Sequence, residues 1–208
     1  MENKNSRLEN RDYVLIIDKS GSMDTEDCAG GQSRWDASKE GTLQIAQKLS
    51  KFDPDGINVY TFDQGYKAFE NTTPATVENI FKEVHPSGGT ALVPVLSKVF
   101  ADYAATKKAG KTKANGQIVL VVTDGQPTDQ SAVAKLISDF TQTLDNGDGE
   151  FGISFIQVGK DAQASAFLKK LDDDLVGAGA KFDIVDTKTM DELGNMSIAD
   201  ALIAALDD

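Results

Sequence analysis

Tyr13-Val14-Leu15-Ile16-Ile17 runs straight into Asp18-Lys19-Ser20-Gly21-Ser22, and the reading of this junction decides the fold. The first half is apolar with no polar alternation, the pattern of a parallel strand covered on both faces. Where the strand stops, the chain offers one carboxylate, Asp18, and two hydroxyls, Ser20 and Ser22, around a glycine. Hard oxygen donors of this kind suit a hard divalent cation such as Mg²⁺ or Mn²⁺. A second run, Ile118-Val119-Leu120-Val121-Val122, ends in Thr123-Asp124-Gly125, and the loop Ser87-Gly88-Gly89-Thr90 between them carries a further hydroxyl. Asp18, Ser20, Ser22, Thr90 and Asp124 therefore read as one metal site.

Outward from these runs, short apolar stretches alternate with amphipathic ones. Strands are expected at Tyr13–Ile17, Ile57–Phe62, Tyr66–Phe69, Ile118–Val122, Ile153–Val158 and Phe182–Val185. Only Asp63-Gln64-Gly65 separates the second from the third. That loop is too short for a crossover, so Tyr66–Phe69 is expected to be a short antiparallel edge strand. Helices are expected at Ser33–Leu49, Thr76–Val84, Leu92–Ala105, Asp129–Leu144, Ala162–Leu171 and Thr189–Ala205. Alternation of this kind gives an α/β class: a doubly wound, Rossmann-like, mostly parallel sheet with helices on both faces. In such a sheet ligands gather beyond the carboxyl ends of the strands, where strand order reverses. Asp18 and Asp124 each lie one to two residues past an expected strand, at its carboxyl end. Gly21 is expected to give a tight turn that aims both serines inward, and Gly88 and Gly89 to let the Thr90 loop approach closely.

D-x-S-G-S, a distant G-G-T and a later T-D-G, in this order and in these contexts, resemble the metal-ion-dependent adhesion site of von Willebrand factor type A domains. The chain looks like the bacterial stand-alone type, and the resemblance extends roughly from Arg11 to Leu206. It implies that Ser20, Ser22 and Thr90 contact the ion, that Asp18 and Asp124 ligate it directly or through water, and that Ca²⁺ is an alternative to Mg²⁺ or Mn²⁺. It also implies that an Asp or Glu of a partner protein completes the coordination shell. AAA+ ATPases and components of stress- or metal-resistance systems are the partners to which it points. Residues 1–10 read as a polar tail and 11–208 as a single domain. The loop Met23–Ser33 departs from the plainest family pattern by some ten polar residues and is expected to rim the site.

Bulk properties narrow the function further. At 208 residues and 40% apolar content the chain can bury a large core, and no apolar run approaches membrane-spanning length. The polar start of the chain and its one cysteine, Cys28, point to a cytoplasmic protein without disulfides. A net charge of −12, from 21 basic and 33 acidic residues, argues against nucleic acid and anionic membranes as partners.

Enzymatic readings fit less well. A haloacid-dehalogenase-type phosphohydrolase also places an aspartate after its first strand, but wants a second two residues later, where this chain has Ser20. No G-x-G-x-x-G follows the first strand, where only Gly21 precedes Gly30, no P-loop or G-x-S-x-G motif is present, and a Ser-His-Asp triad would have to use His85, the only histidine. The expectation is a non-enzymatic, metal-dependent interaction module. A scaffold with a stabilising metal is the alternative, and a metal-dependent phosphohydrolase comes last. His85 is read as solvent-facing, Cys28 as inert and Trp35 as a core or rim aromatic. Asp24, Glu26 and Asp27 read as a solvated acidic loop, with an auxiliary cation site as the alternative. Asp63 lines the rim or caps a turn, and Asp129 is a helix cap or a first-turn acid favoured by the dipole.

Overall fold

The computed structural model describes residues 4–195. Six strands form one sheet: β1 (Asp12–Asp18), β2 (Ile57–Phe62), β3 (Tyr66–Thr72), β4 (Gln117–Thr123), β5 (Phe151–Gln157) and β6 (Val185–Thr189). Their order is β3-β2-β1-β4-β5-β6, and only the β2–β3 pair is antiparallel. The helices are α1 (Arg34–Leu49), α2 (Pro74–Glu83), α3 (Leu92–Lys108), α4 (Gln130–Thr141), α5 (Ala162–Asp174) and α6 (Met190–Asn195). This is the expected doubly wound α/β architecture.

The central strands form because their side chains alternate between two apolar layers. Leu15 and Ile17 of β1, with Leu120 and Val122 of β4, face a layer containing Ile45, Leu49 and Trp35 of α1 and Val77 and Phe81 of α2. Val14, Ile16, Val119 and Val121 face the other layer, built from α3, α4 and α5 around Phe100, Phe140 and Phe151. Burying one such Leu or Ile side chain contributes roughly 2 kcal/mol. Helix starts are written locally: Ser33, Thr73, Asp129 and Asp161 each accept a hydrogen bond from a first-turn backbone N–H, and Pro74 opens α2.

Several expectations need correcting. The last strand is not Phe182–Val185 but Val185–Thr189, paired in parallel from Ile153–Val185 to Gln157–Thr189. Ile184 is buried in a helix-covered layer just ahead of it, so the apolar run marks the approach to an edge strand whose body is polar. β3 extends beyond Phe69 to Thr72. The final helix begins at Met190 rather than Thr189, and the rest of the stretch expected up to Ala205 lies outside the described residues. Ahead of β1, Leu8 is fully buried, Tyr13 Oη donates to its carbonyl at 2.7 Å, and Asn115 donates to the carbonyls of Ser6 and Glu9.

Candidate functional site

Strand order reverses between β1 and β4, since the chain winds from β1 out to β2 and β3, then returns through α3 to β4 on the other side. Two adjacent strands diverging in connectivity leave a crevice at their carboxyl ends. Asp18 ends β1 and Asp124 directly follows β4, and both are fully buried there.

Three loops meet over this crevice through backbone hydrogen bonds. Ser87 N donates to Lys19 O at 2.7 Å, Gly21 N to Gly88 O at 3.1 Å, and Thr128 N to Thr90 O at 2.9 Å. Gly21 opens a short 3₁₀ turn with an ordinary φ, and Ser20 and Ser22 on either side of it both enter the cluster; the positive φ, +74°, lies at Gly88 on the facing loop.

A chain of hydrogen bonds runs across the loops through side chains and the Ser20 backbone. Asp18 Oδ1 accepts from Ser20 N at 2.7 Å and Asp18 Oδ2 from Thr123 Oγ1 at 2.6 Å. Ser20 Oγ lies 3.1 Å from Ser22 Oγ, which donates to Asp124 Oδ1 at 3.0 Å. Asp18, Ser20, Ser22 and Asp124 are thus brought together. Thr90 is half-buried and its backbone is tied to the same cluster, but its hydroxyl makes no hydrogen bond to the other four. Burial pushes the Asp18 carboxyl up to about 6; Thr123 and Ser20 pull against that shift, while Asp124 adds to it. Its hydrogen-bond donors are all neutral.

Sequence patterning does not single out the next member of the chain, Arg34. Its Nη1 donates to Asp124 Oδ2 at 2.8 Å, and its Nε and Nη2 grip Asp27 Oδ1 and Oδ2 at 2.9 and 2.7 Å. The one signal available is a basic residue directly after the Ser33 cap, where the helix dipole disfavours positive charge. Asp27 is therefore spent on Arg34 instead of forming an auxiliary cation site with Asp24 and Glu26.

The other single residues fall as follows. Asp63 does both things expected of it, pairing with Lys19 at the rim and accepting from Gly65 N at 3.0 Å. Asp129 caps α4, Trp35 is buried against Phe81, and His85 is exposed. Burial and the neighbouring Asp27 push the Cys28 thiol up, away from reactivity. Among the described residues no three His, Cys, Asp or Glu side chains converge as a metal cage. An ion here would have to take hydroxyls alongside two carboxylates. The donor set fits a hard cation: all oxygen, with a buried carboxylate, Asp18, that no cation among the described residues pairs with.

A mostly parallel sheet in this strand order, with one antiparallel edge strand, is the architecture of an A-type domain. The chain belongs to the von Willebrand factor type A domain family, whose model matches residues 13–127. No curated protein matches the sequence significantly. Solved structures share the fold at low identity. The PilB minor pilin from Streptococcus sanguinis aligns at 14% identity and TM-score 0.58, over 96% of this chain and 60% of its own. A von Willebrand factor type A protein from Catenulispora acidiphila aligns at 18% and 0.57, over 95% of this chain and 41% of its own. Manganese-loaded Plasmodium vivax TRAP protein aligns at 16% and 0.60, over 96% and 74%. The chain thus spans three-fifths of the pilin and two-fifths of the Catenulispora protein. Among the described residues no helix is long and apolar enough to cross a membrane.

Proposed function

We propose that this chain is a metal-dependent protein-interaction domain in which Asp18, Ser20, Ser22, Thr90 and Asp124 hold a Mg²⁺ or Mn²⁺ ion and a partner's Asp or Glu completes its shell. The observation that carries this reading is the buried Asp18 carboxylate, linked through Ser20 and Ser22 to Asp124 at the sheet's switch point, with no paired cation among the described residues. A divalent ion would supply the missing positive charge and a Lewis-acidic seat for an incoming carboxylate. The TRAP protein, of the same fold, carries manganese in its solved structure, which supports the choice of metal.

The role is recognition rather than catalysis. Ser20 stands where a phosphohydrolase of this topology needs its acid/base, and the single histidine is exposed on the loop ahead of Gly88. The partner is a protein, with an AAA+ ATPase or a stress- or metal-resistance component as the class to look for first, in the cytoplasm.

Affinity capture from a native lysate tests this, run with Mg²⁺, with EDTA, and with Asp18→Ala or Ser22→Ala in Mg²⁺. A partner retained only by wild type with metal is the expected result. A partner retained in all conditions would move the interface off this site and leave the metal a structural role.

A further inference from the structure

Arg34 is built into the candidate metal site with more care than an incidental ion pair would need. It is the first residue of α1, where a positive charge opposes the helix dipole, yet only 8% of the residue is exposed. One nitrogen donates to the buried Asp124, and two form a fork on Asp27 of the loop that rims the site. The slot for the guanidinium is made by Gly159, just beyond β5. At its φ of +75° a side chain is disfavoured, and a Cβ there would come within 2.6 Å of Arg34 Nε. Asp27 is one-third exposed, so water screens it more than it screens Asp124.

The two site carboxylates sum to −2, and a permanent +1 on Asp124 Oδ2 brings the site to −1. A divalent cation then makes it +1, and one carboxylate of a partner makes it neutral. Lacking Arg34, the loaded site would already be neutral, and an incoming carboxylate would leave it negative. Resting on the metal-dependent reading above, we infer that Arg34, acting through Asp124, sets the charge of this site so that the metal-loaded domain attracts an anion. The arginine weakens the hold on the metal and strengthens the hold of the loaded metal on an acidic ligand. Repulsion between a single and a double positive charge a few ångströms apart, even at water-like screening, amounts to about tenfold in affinity.

The test uses Mn²⁺ alone, its free fraction followed by electron paramagnetic resonance, with and without acetate at constant ionic strength. Wild type is compared with Arg34→Gln, Arg34→Lys and Asp27→Asn, each first shown to fold by its melt in EDTA. Arg34→Gln is expected to bind Mn²⁺ about tenfold more tightly. Arg34→Lys, which keeps the charge, is expected to stay near wild type. Asp27→Asn, which removes a negative charge and the loop anchor but keeps the arginine, is expected to bind no more tightly than wild type. Acetate is expected to tighten Mn²⁺ binding by wild type and not by Arg34→Gln, because coupling between two ligands is reciprocal. Arg34→Gln binding Mn²⁺ equally or more weakly would overturn the inference and leave the arginine as a loop anchor. Wild type that binds no Mn²⁺ would overturn the metal-dependent reading itself, and this inference with it.

Discussion

Replacing Asp18 with asparagine is expected to stabilise the metal-free protein at neutral pH, although it removes a residue assigned to the site. Asp18 is fully buried and meets only neutral donors, Ser20 N and Thr123 Oγ1. Burial raises its carboxyl from 3.8 to about 6. The folded state therefore holds the Asp18 proton more tightly than the unfolded chain does. By linkage, wild type loses stability as pH rises from about 4 to about 6, and the whole penalty is present above that window. About two pKa units at roughly 1.4 kcal/mol each give a penalty of about 3 kcal/mol at pH 7.5. Asparagine keeps the acceptor for Ser20 N but turns its amide toward Thr123, a loss of about 1 kcal/mol. The net gain of about 2 kcal/mol corresponds to a melting temperature roughly 4–8 °C higher for a chain of this size.

The assay is thermal unfolding in EDTA across pH. Asp18→Asn is expected to melt above wild type at pH 7.5, with the advantage vanishing near pH 4.5, where the remaining penalty of about 1 kcal/mol equals the lost hydrogen bond. Adding Mg²⁺ at pH 7.5 is expected to stabilise wild type by mass action and leave the variant unmoved. A variant that melts below wild type in EDTA at pH 7.5, or a difference that does not change with pH, would refute the argument that Asp18 is a buried charge awaiting a cation.

Three other perturbations probe the frame around the site. Gly159→Ala forces a Cβ against the Arg34 guanidinium at a φ of +75°, and is expected to destabilise by about 2 kcal/mol in urea unfolding. Phe151→Ala removes a fully buried ring packed among Phe100, Phe140 and Tyr103, with an expected loss of about 3–5 kcal/mol in the same assay. Lys113→Ala strips the partner 2.6 Å from the buried Asp53. About 3–5 kcal/mol is expected to be lost at pH 7. Burial already raises Asp53 despite Lys113, so protonating the orphaned carboxyl in mildly acidic buffer is expected to restore part of the loss, read from melts at pH 5 and pH 7.

The interior strands were legible because a strand covered on both faces must be apolar along its whole length. β2 starts and ends where its apolar run does, and β1 and β4 extend theirs by only a residue at each end. The edge strand β6 obeys a weaker rule. Only β5 pairs with it among the described strands, and Asp186, Thr187 and Lys188 can be polar within it, while the apolar residues just before it, Phe182 and Ile184, pack against helix-covered core. Hydrophobicity alone therefore set that strand three residues too early. At Gly21 the glycine between two serines gives the tight turn expected of it as a 3₁₀ turn, which needs no positive φ; the positive φ lies at Gly88 on the facing loop.

The same distinction between local and distant causes runs through the site. Asp18, Ser20 and Ser22 lie within one turn of chain, and Asp124 repeats the strand-end logic, so residue type and spacing bring them forward. Arg34 reaches Asp124 across 90 positions, and its slot depends on Gly159 at the end of a different strand. Nothing in periodicity links those three. What the sequence does contain is a contradiction: a cation at the first position of a helix whose cap, Ser33, is otherwise well chosen. A local rule broken without local compensation is where a distant partner should be sought. Here that partner is Asp124, a carboxylate assigned to the proposed metal site. On that reading the arginine and an ion would act on the same group, and the charge Asp124 presents would be set jointly by the strand-end motif and by the first residue of α1.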